Sequence, residues 1–140
     1  MRHYEATAQI AAPPEDVWAV LTDGGRWSTW DSGVTGVEGR IRPGEKVTIR
    51  TEVAPGRAFP VKVTGFEAPH RLEFTGGMPL GLFRGVRTYT LSPSGAGTAF
   101  RMREEYTGPL LGLIWRSMPD LQPSFDRFAA GLKGHAESGA

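Results

Sequence analysis

Apolar residues fall on alternate positions in a series of short runs along most of this chain, and only near the C-terminus does their spacing lengthen. From His3 to Ala11, Tyr4, Ala6, Ala8 and Ile10 share one face, while Glu5, Thr7 and Gln9 share the other. That alternation predicts a half-buried strand. Pro13 and Pro14 follow, then the acids Glu15 and Asp16, then Val17, Val20 and Leu21 at helical spacing, and finally Gly24-Gly25. Proline and acids in the first turn with a glycine stop predict a short helix, its apolar stripe facing inward. Arg26 to Trp30 predicts one more short turn, with Trp27 and Trp30 on one side as a plug for the end of the core.

The next stretch reads as a meander. Val34 to Ile41 alternates weakly, and Arg42-Pro43-Gly44-Glu45 is a turn. Val47, Ile49, Thr51 and Val53 then alternate with Lys46, Thr48, Arg50 and Glu52. After Pro55-Gly56-Arg57 come Phe59, Val61 and Val63, with Phe66 brought inward past a bulge at Gly65. Leu72 and Phe74 mark another strand, and Gly76 to Gly81 is a loop that reads either as a gate or as an ordinary turn. Phe83, Gly85, Arg87, Tyr89 and Leu91 share a face, as do Phe100, Met102, Glu104 and Tyr106 beyond the Ser92–Gly97 hairpin loop. Short strands at this spacing predict an antiparallel sheet.

From Leu110 the apolar residues Ile114, Met118, Leu121, Phe125, Phe128 and Leu132 recur every three or four positions. This predicts an amphipathic helix of about six turns. Pro119 and Pro123 interrupt it, so a kink or restart is expected between Met118 and Ser124. A sheet with one apolar face has to cover it, and this helix is the only element long enough to do so. The expected fold is therefore α+β: a curved antiparallel sheet of about seven strands wrapped around a long C-terminal helix, with two short helices after strand 1. The whole of 1–140 reads as one domain, with space between sheet and helix for a ligand.

Composition narrows the function classes. Basic and acidic residues number 16 and 15, and the basic ones are scattered from Arg2 to Lys133 without a run. Nucleic acid is not an expected partner, because it selects a concentrated positive face. No apolar stretch is long enough for stable membrane insertion. With no cysteine and no apolar signal core in MRHYEATAQI, a cytoplasmic protein is expected. His3, His70 and His135 lack metal-ligand spacing, and no phosphate-cradling glycine motif is present, so neither metal nor other cofactor is expected.

The segment Ala12-Pro13-Pro14-Glu15-Asp16-Val17-Trp18 through Thr22-Asp23 to Trp30 resembles the first helix, and the tryptophan after it, of the START-related superfamily (SRPBCC). This group includes polyketide cyclases, plant pathogenesis-related proteins and lipid-transfer domains. Gly85, Arg87, Tyr89-Thr90-Leu91, Pro93, Gly97-Thr98, Phe100, Glu104, Tyr106 and Gly108 resemble the last hairpin of one bacterial branch, down to Leu110-Leu111 opening the helix. The resemblance implies a helix-grip fold and a cavity for a small hydrophobic or amphipathic ligand such as a lipid or polyketide. A minority of members catalyse cyclisation or dehydration. Arg87 stands where that branch often has histidine, so no histidine-based mechanism carries over.

Arg87 and Glu104 are the leading chemical candidates. They sit on adjacent strands with alternation turning both inward, where opposite charges must pair or face a cavity. They read either as a ligand anchor, with Arg87 on a carbonyl or enolate oxygen and Glu104 as acid or base, or as a structural ion pair. Tyr89 and Tyr106 read as hydroxyl donors to a ligand or as core aromatics. Trp30 could stack on a ligand, and Asp31 beside it reads as a cavity acid or, ahead of that, as a helix or turn cap. The expected walls are Val47, Ile49, Val61, Leu72 and Phe74 on one side and Met102 beside the charged pair. Met118, Leu121 and Phe125 come from the helix. Leu111, Leu113 and Trp115 cannot all face inward, which marks a pocket entrance or a homodimer contact. A binder of a small hydrophobic ligand is the first reading. A cyclase or dehydratase using Arg87 and Glu104, and a protein-interaction module with a filled cavity, are the alternatives.

Overall fold

The computed structural model describes residues 1–139. In chain order, β1 (Arg2–Ile10) leads into α1 (Pro14–Thr22) and a 3-10 segment (Gly24–Thr29), which carry the chain across to β2 (Val34–Glu38). There follow β3 (Lys46–Thr51), β4 (Phe59–Glu67), β5 (Arg71–Gly77), a 3-10 turn (Pro79–Gly81), β6 (Arg84–Ser94) and β7 (Gly97–Thr107). The chain closes with α2 (Leu111–Ser117) and α3 (Gln122–Glu137). The strands form one seven-stranded antiparallel sheet in the order β1-β7-β6-β5-β4-β3-β2. It curls into a half-barrel around the C-terminal helix, the helix-grip arrangement.

Alternation explains the concave face. Val47 and Ile49 of β3, Val63 of β4, Leu72 and Phe74 of β5, Tyr89 and Leu91 of β6, and Phe100 and Met102 of β7 are all buried. The register slips between Val63 and Gly65 against β5, which is the bulge the sequence predicts at Gly65, and again between Val34 and Gly36 against β3. Each slip adds twist and so helps the sheet to curl. α3 lays Phe125, Phe128, Ala129, Leu132 and Ala136 into the concavity, one stripe at helical spacing. Trp27 plugs the core as expected: it is 1% exposed, donates its indole N–H to the Leu21 carbonyl at 3.1 Å, and meets Phe128 edge-on.

α3 is fastened to the sheet on both sides. β1 is an edge strand, and its outward carbonyls at Glu5 and Gln9 accept hydrogen bonds from Gln122 (2.7 Å) and Lys133 (2.6 Å). The N–H of Ala11, just past β1, donates to Glu137 at 2.7 Å. These contacts occupy backbone groups that would otherwise invite another strand. On the other side Arg127 bridges Asp31 and Glu52, each at 2.7 Å. Asp31 is therefore an ion-pair partner of the helix rather than a turn cap.

The helical region departs from a single six-turn element. Pro119 disfavours the helical conformation at Met118, which is extended (φ −74°, ψ 138°), so α2 ends at Ser117. Pro123 sits in the first turn of α3, where its missing N–H breaks no helical bond. The result is two helices joined by residues 118–121. Trp115 stacks on Tyr4 (ring centroids 5.3 Å) and meets Tyr106 (5.6 Å), while Leu113 is left 67% exposed.

α3 approaches the 30–31 backbone so closely that only glycine fits at 131: a Cβ there would lie 1.9 Å from the Asp31 carbonyl oxygen. Gly131→Ala is expected to lower stability by about 1–3 kcal/mol through overpacking. Gly134→Ala in the same helix meets open space and is expected to add about 0.5–1 kcal/mol. Chemical denaturation of both variants checks the pair, and equal effects would contradict this packing.

Candidate functional site

At one end of the half-barrel the interior packs solid, with Tyr89 against Phe74, Phe100 and Phe128. Toward the other end, where β3, β5 and β7 finish and β4 and β6 begin, the concavity holds a cavity of about 420 Å³. Its floor is sheet: Ile49 and Thr51 from β3, Val61 from β4, Phe74 from β5, and Arg87, Met102, Glu104 and Tyr106 from β6 and β7. Its roof is Ile114 of α2, Met118, Pro119 and Leu121 of the helix break, and the first turns of α3. The break therefore roofs the part of the concavity that α3 does not fill. An interior of this size does not fit the reading of an interaction module with a filled cavity.

The polar cluster lies on the β6–β7 wall. Arg87 and Glu104 are direct cross-strand partners, and Arg87 Nε donates to Glu104 Oε1 at 2.6 Å. Their side chains keep 25% and 17% exposure. From the roof, the Phe125 ring faces the guanidinium carbon at 4.7 Å, a cation–π contact. Glu104 engages only Nε, and the terminal guanidinium nitrogens, near the Tyr89 hydroxyl, meet no acceptor in good hydrogen-bonding geometry among the described residues. The other carboxylate oxygen lies over Gly85, where a Cβ would meet it at 2.9 Å. Glycine at 85 thus leaves room for the carboxylate to lie across the strand.

Two phenols flank this pair. The Tyr106 hydroxyl neighbours Glu104 and the Tyr89 hydroxyl neighbours Arg87, yet neither meets a partner in hydrogen-bonding geometry. Burial raises the pKa of both, and the Glu104 carboxylate raises that of Tyr106 further, so both remain neutral donors. Burial disfavours the Arg87 charge, but Glu104 and the two neighbouring phenols together outweigh it and hold the guanidinium ionised. Thr51 Oγ, across the cavity, is also buried without a partner.

Of the residues expected from sequence, the structure brings Ile49, Val61, Phe74, Met102, Arg87, Glu104 and Tyr106 together on the floor, beneath Met118, Leu121 and Phe125. It leaves four others off the wall. Val47 and Leu72 have the inward parity but lie where the core is solid, at 1% and 0% exposure. Tyr89 is enclosed by aromatic rings, and Trp30 packs outside on Phe128 and stacks on His135. Sequence reasoning missed several wall residues. Thr51 shares the parity of Ile49, and Phe83 and Gly85 that of Arg87, so alternation was a sufficient signal for them. Phe59 shares the parity of Val61, whereas Arg57, at the mouth, lies in a loop with no periodic signal. The Gly76–Gly81 segment is tied at its base by Met78 N–H to Phe83 O (2.8 Å), with Leu80 95% exposed at its tip.

The family model for polyketide cyclase / dehydrase and lipid transport proteins matches residues 1–137. The chain belongs to that family. Solved structures similar to this family member include MLL2253 from Mesorhizobium loti (20% identity, 99% of both chains, TM-score 0.76). TTHA0849 from Thermus thermophilus is 24% identical over 99% of both chains, with a TM-score of 0.72. A START superfamily protein from Mycobacterium smegmatis is 15% identical over 99% of both chains, also with a TM-score of 0.72. At these identities the likeness shows the fold alone. No curated protein matches the chain in sequence. Among the described residues of this family member, no helix is long and apolar enough to cross a membrane.

Two outcomes are expected from the charged cluster. Glu104→Ala strands the Arg87 charge, and a loss of about 1–3 kcal/mol is expected, below the fully buried case because the pair faces a cavity. Arg87→Met combined with Glu104→Leu is expected to recover most of it in urea denaturation. Alkaline titration tests the phenols. Their folded pKa values lie above the unfolded value of about 10, so stability falls as pH rises past that point. Phenolate absorbance from Tyr89 and Tyr106 is expected only as the fold opens; phenolate from both in the intact fold would contradict their burial.

Proposed function

We propose that this domain binds a small amphipathic molecule of lipid or polyketide type, enclosing its apolar body and hydrogen-bonding an oxygen at the β6–β7 wall. The observation that carries this reading is the combination of a mainly apolar cavity with one cluster of converging polar groups. That is the usual composition of a small-molecule site, in which apolar area gives affinity and a few polar atoms fix orientation. Ile49, Val61, Met102 and Phe125 supply the apolar contact. The free guanidinium N–H groups of Arg87 and the Tyr106 hydroxyl supply donors, and Glu104 supplies an acceptor. Membership in a family described by cyclase, dehydrase and lipid transport activities supports a ligand-holding role.

A second reading is favoured by one specific arrangement. A neutral phenol and a guanidinium beside a carboxylate could polarise a substrate carbonyl while Glu104 moves a proton, as a cyclase or dehydratase requires. In that case Glu104→Gln abolishes turnover while binding persists. In a pure carrier the same change alters affinity alone.

The test is binding of an apolar fluorescent probe, anilinonaphthalene sulfonate. The wild-type protein is expected to enhance its emission saturably. Val61→Trp fills the cavity from β4 and is expected to weaken binding at least about tenfold, roughly the effect of losing 1.4 kcal/mol of contact. Unchanged binding in a folded Val61→Trp protein would place the probe elsewhere and count against the cavity as the site.

A further inference from the structure

The cavity has two polar ends of different charge, and the difference fixes which way round a ligand sits. Its charged lining consists of Arg57, Arg87 and Glu104. At the inner end Arg87 and Glu104 neutralise each other in direct contact. At the mouth Arg57 is exposed, has no ion-pair partner among the described residues, and follows Glu52, whose carboxylate is engaged by Arg127. Thr51 Oγ, at the end of β3, is buried without a partner.

An anion pushed to the inner end would lie against Glu104 and leave a net negative charge in a low-dielectric interior, which is strongly unfavourable. A ketone or hydroxyl at that end adds no charge. It accepts from Tyr106 and Arg87, and a hydroxyl also donates to Glu104. At the mouth the balance reverses, because Arg57 leaves one positive charge uncompensated.

Building on the binding role above, we infer that the ligand is an amphipathic acid bound with its neutral oxygen end inward at Tyr106 and Arg87 and its anionic group at the mouth on Arg57. β6 and β3 are three strand spacings apart in the sheet. Arg57 lies in the loop between β3 and β4, so the two ends are separated along the strands as well as across them. A molecule with the reach of a medium-length acyl chain, or of a few fused rings, spans them.

Titration calorimetry with ω-hydroxydecanoic acid, decanoic acid and decanol tests the orientation. Wild-type protein is expected to bind the hydroxy acid tightest. Arg57→Gln is expected to weaken both acids about two- to fivefold and leave decanol unchanged. Tyr106→Phe is expected to weaken the hydroxy acid and decanol about threefold or more and leave decanoic acid unchanged, which also shows that the variant keeps its cavity. Arg57→Gln sparing the acids, or Tyr106→Phe affecting all three probes alike, would overturn the orientation and leave cavity binding standing. Binding of anilinonaphthalene sulfonate but of none of the three probes would overturn this inference alone. Failure of the dye as well would remove the binding role and this inference with it.

Discussion

A cation and an anion on the concave wall of a sheet are tolerable only if they face each other, and the rest of the site depends on how Arg87 and Glu104 do so. Their register makes them direct partners across β6 and β7, and the Nε–Oε1 contact of 2.6 Å cancels their charges locally. The pairing uses one guanidinium nitrogen and leaves the other two without an acceptor in good hydrogen-bonding geometry among the described residues. A structural pair buried among apolar side chains would close around itself. This one keeps partial exposure, lies beneath a Phe125 ring, and stands beside a tyrosine hydroxyl that nothing satisfies. Neutral overall but rich in donors, it favours an uncharged oxygen over an anion.

The space around that pair follows from the helical region. Pro119 stops α2, Pro123 starts α3, and residues 118–121 between them roof the cavity instead of filling it. α3 itself is held by Gln122, Lys133 and Glu137 against the β1 edge and by Arg127 against the opposite side. Gly131 lets it come within contact of the 30–31 backbone. A helix fixed on both flanks cannot sink to close the remaining volume, so the unfilled end is a property of the fold rather than of one side chain.

Much of this was legible in the chain. Period-two alternation places Arg87 and Glu104 inward with Met102, and the two prolines mark where the helix breaks. Alternation, though, reports only which face a side chain takes, not how far along the strand the core stays solid. Val47 and Leu72 therefore have the right parity but lie outside the cavity, and Tyr89 is enclosed by Phe74, Phe100 and Phe128. Trp30 sits near an end of the core, yet its ring turns to His135 because α3 passes there. Arg57 was invisible for a different reason: it lies in a loop, and its position at the mouth depends on sheet curvature that no local pattern encodes.

The central claim is that the β6–β7 wall faces room for a guest. The most direct measurement is a crystal structure with a bromine-tagged decanol, located by anomalous scattering. The account predicts bromine density inside the half-barrel, with the alcohol oxygen within hydrogen-bonding reach of Tyr106 and Arg87. An interior closed by Leu121 and Phe125 against Met102, with bromine only on the outer surface, would contradict it.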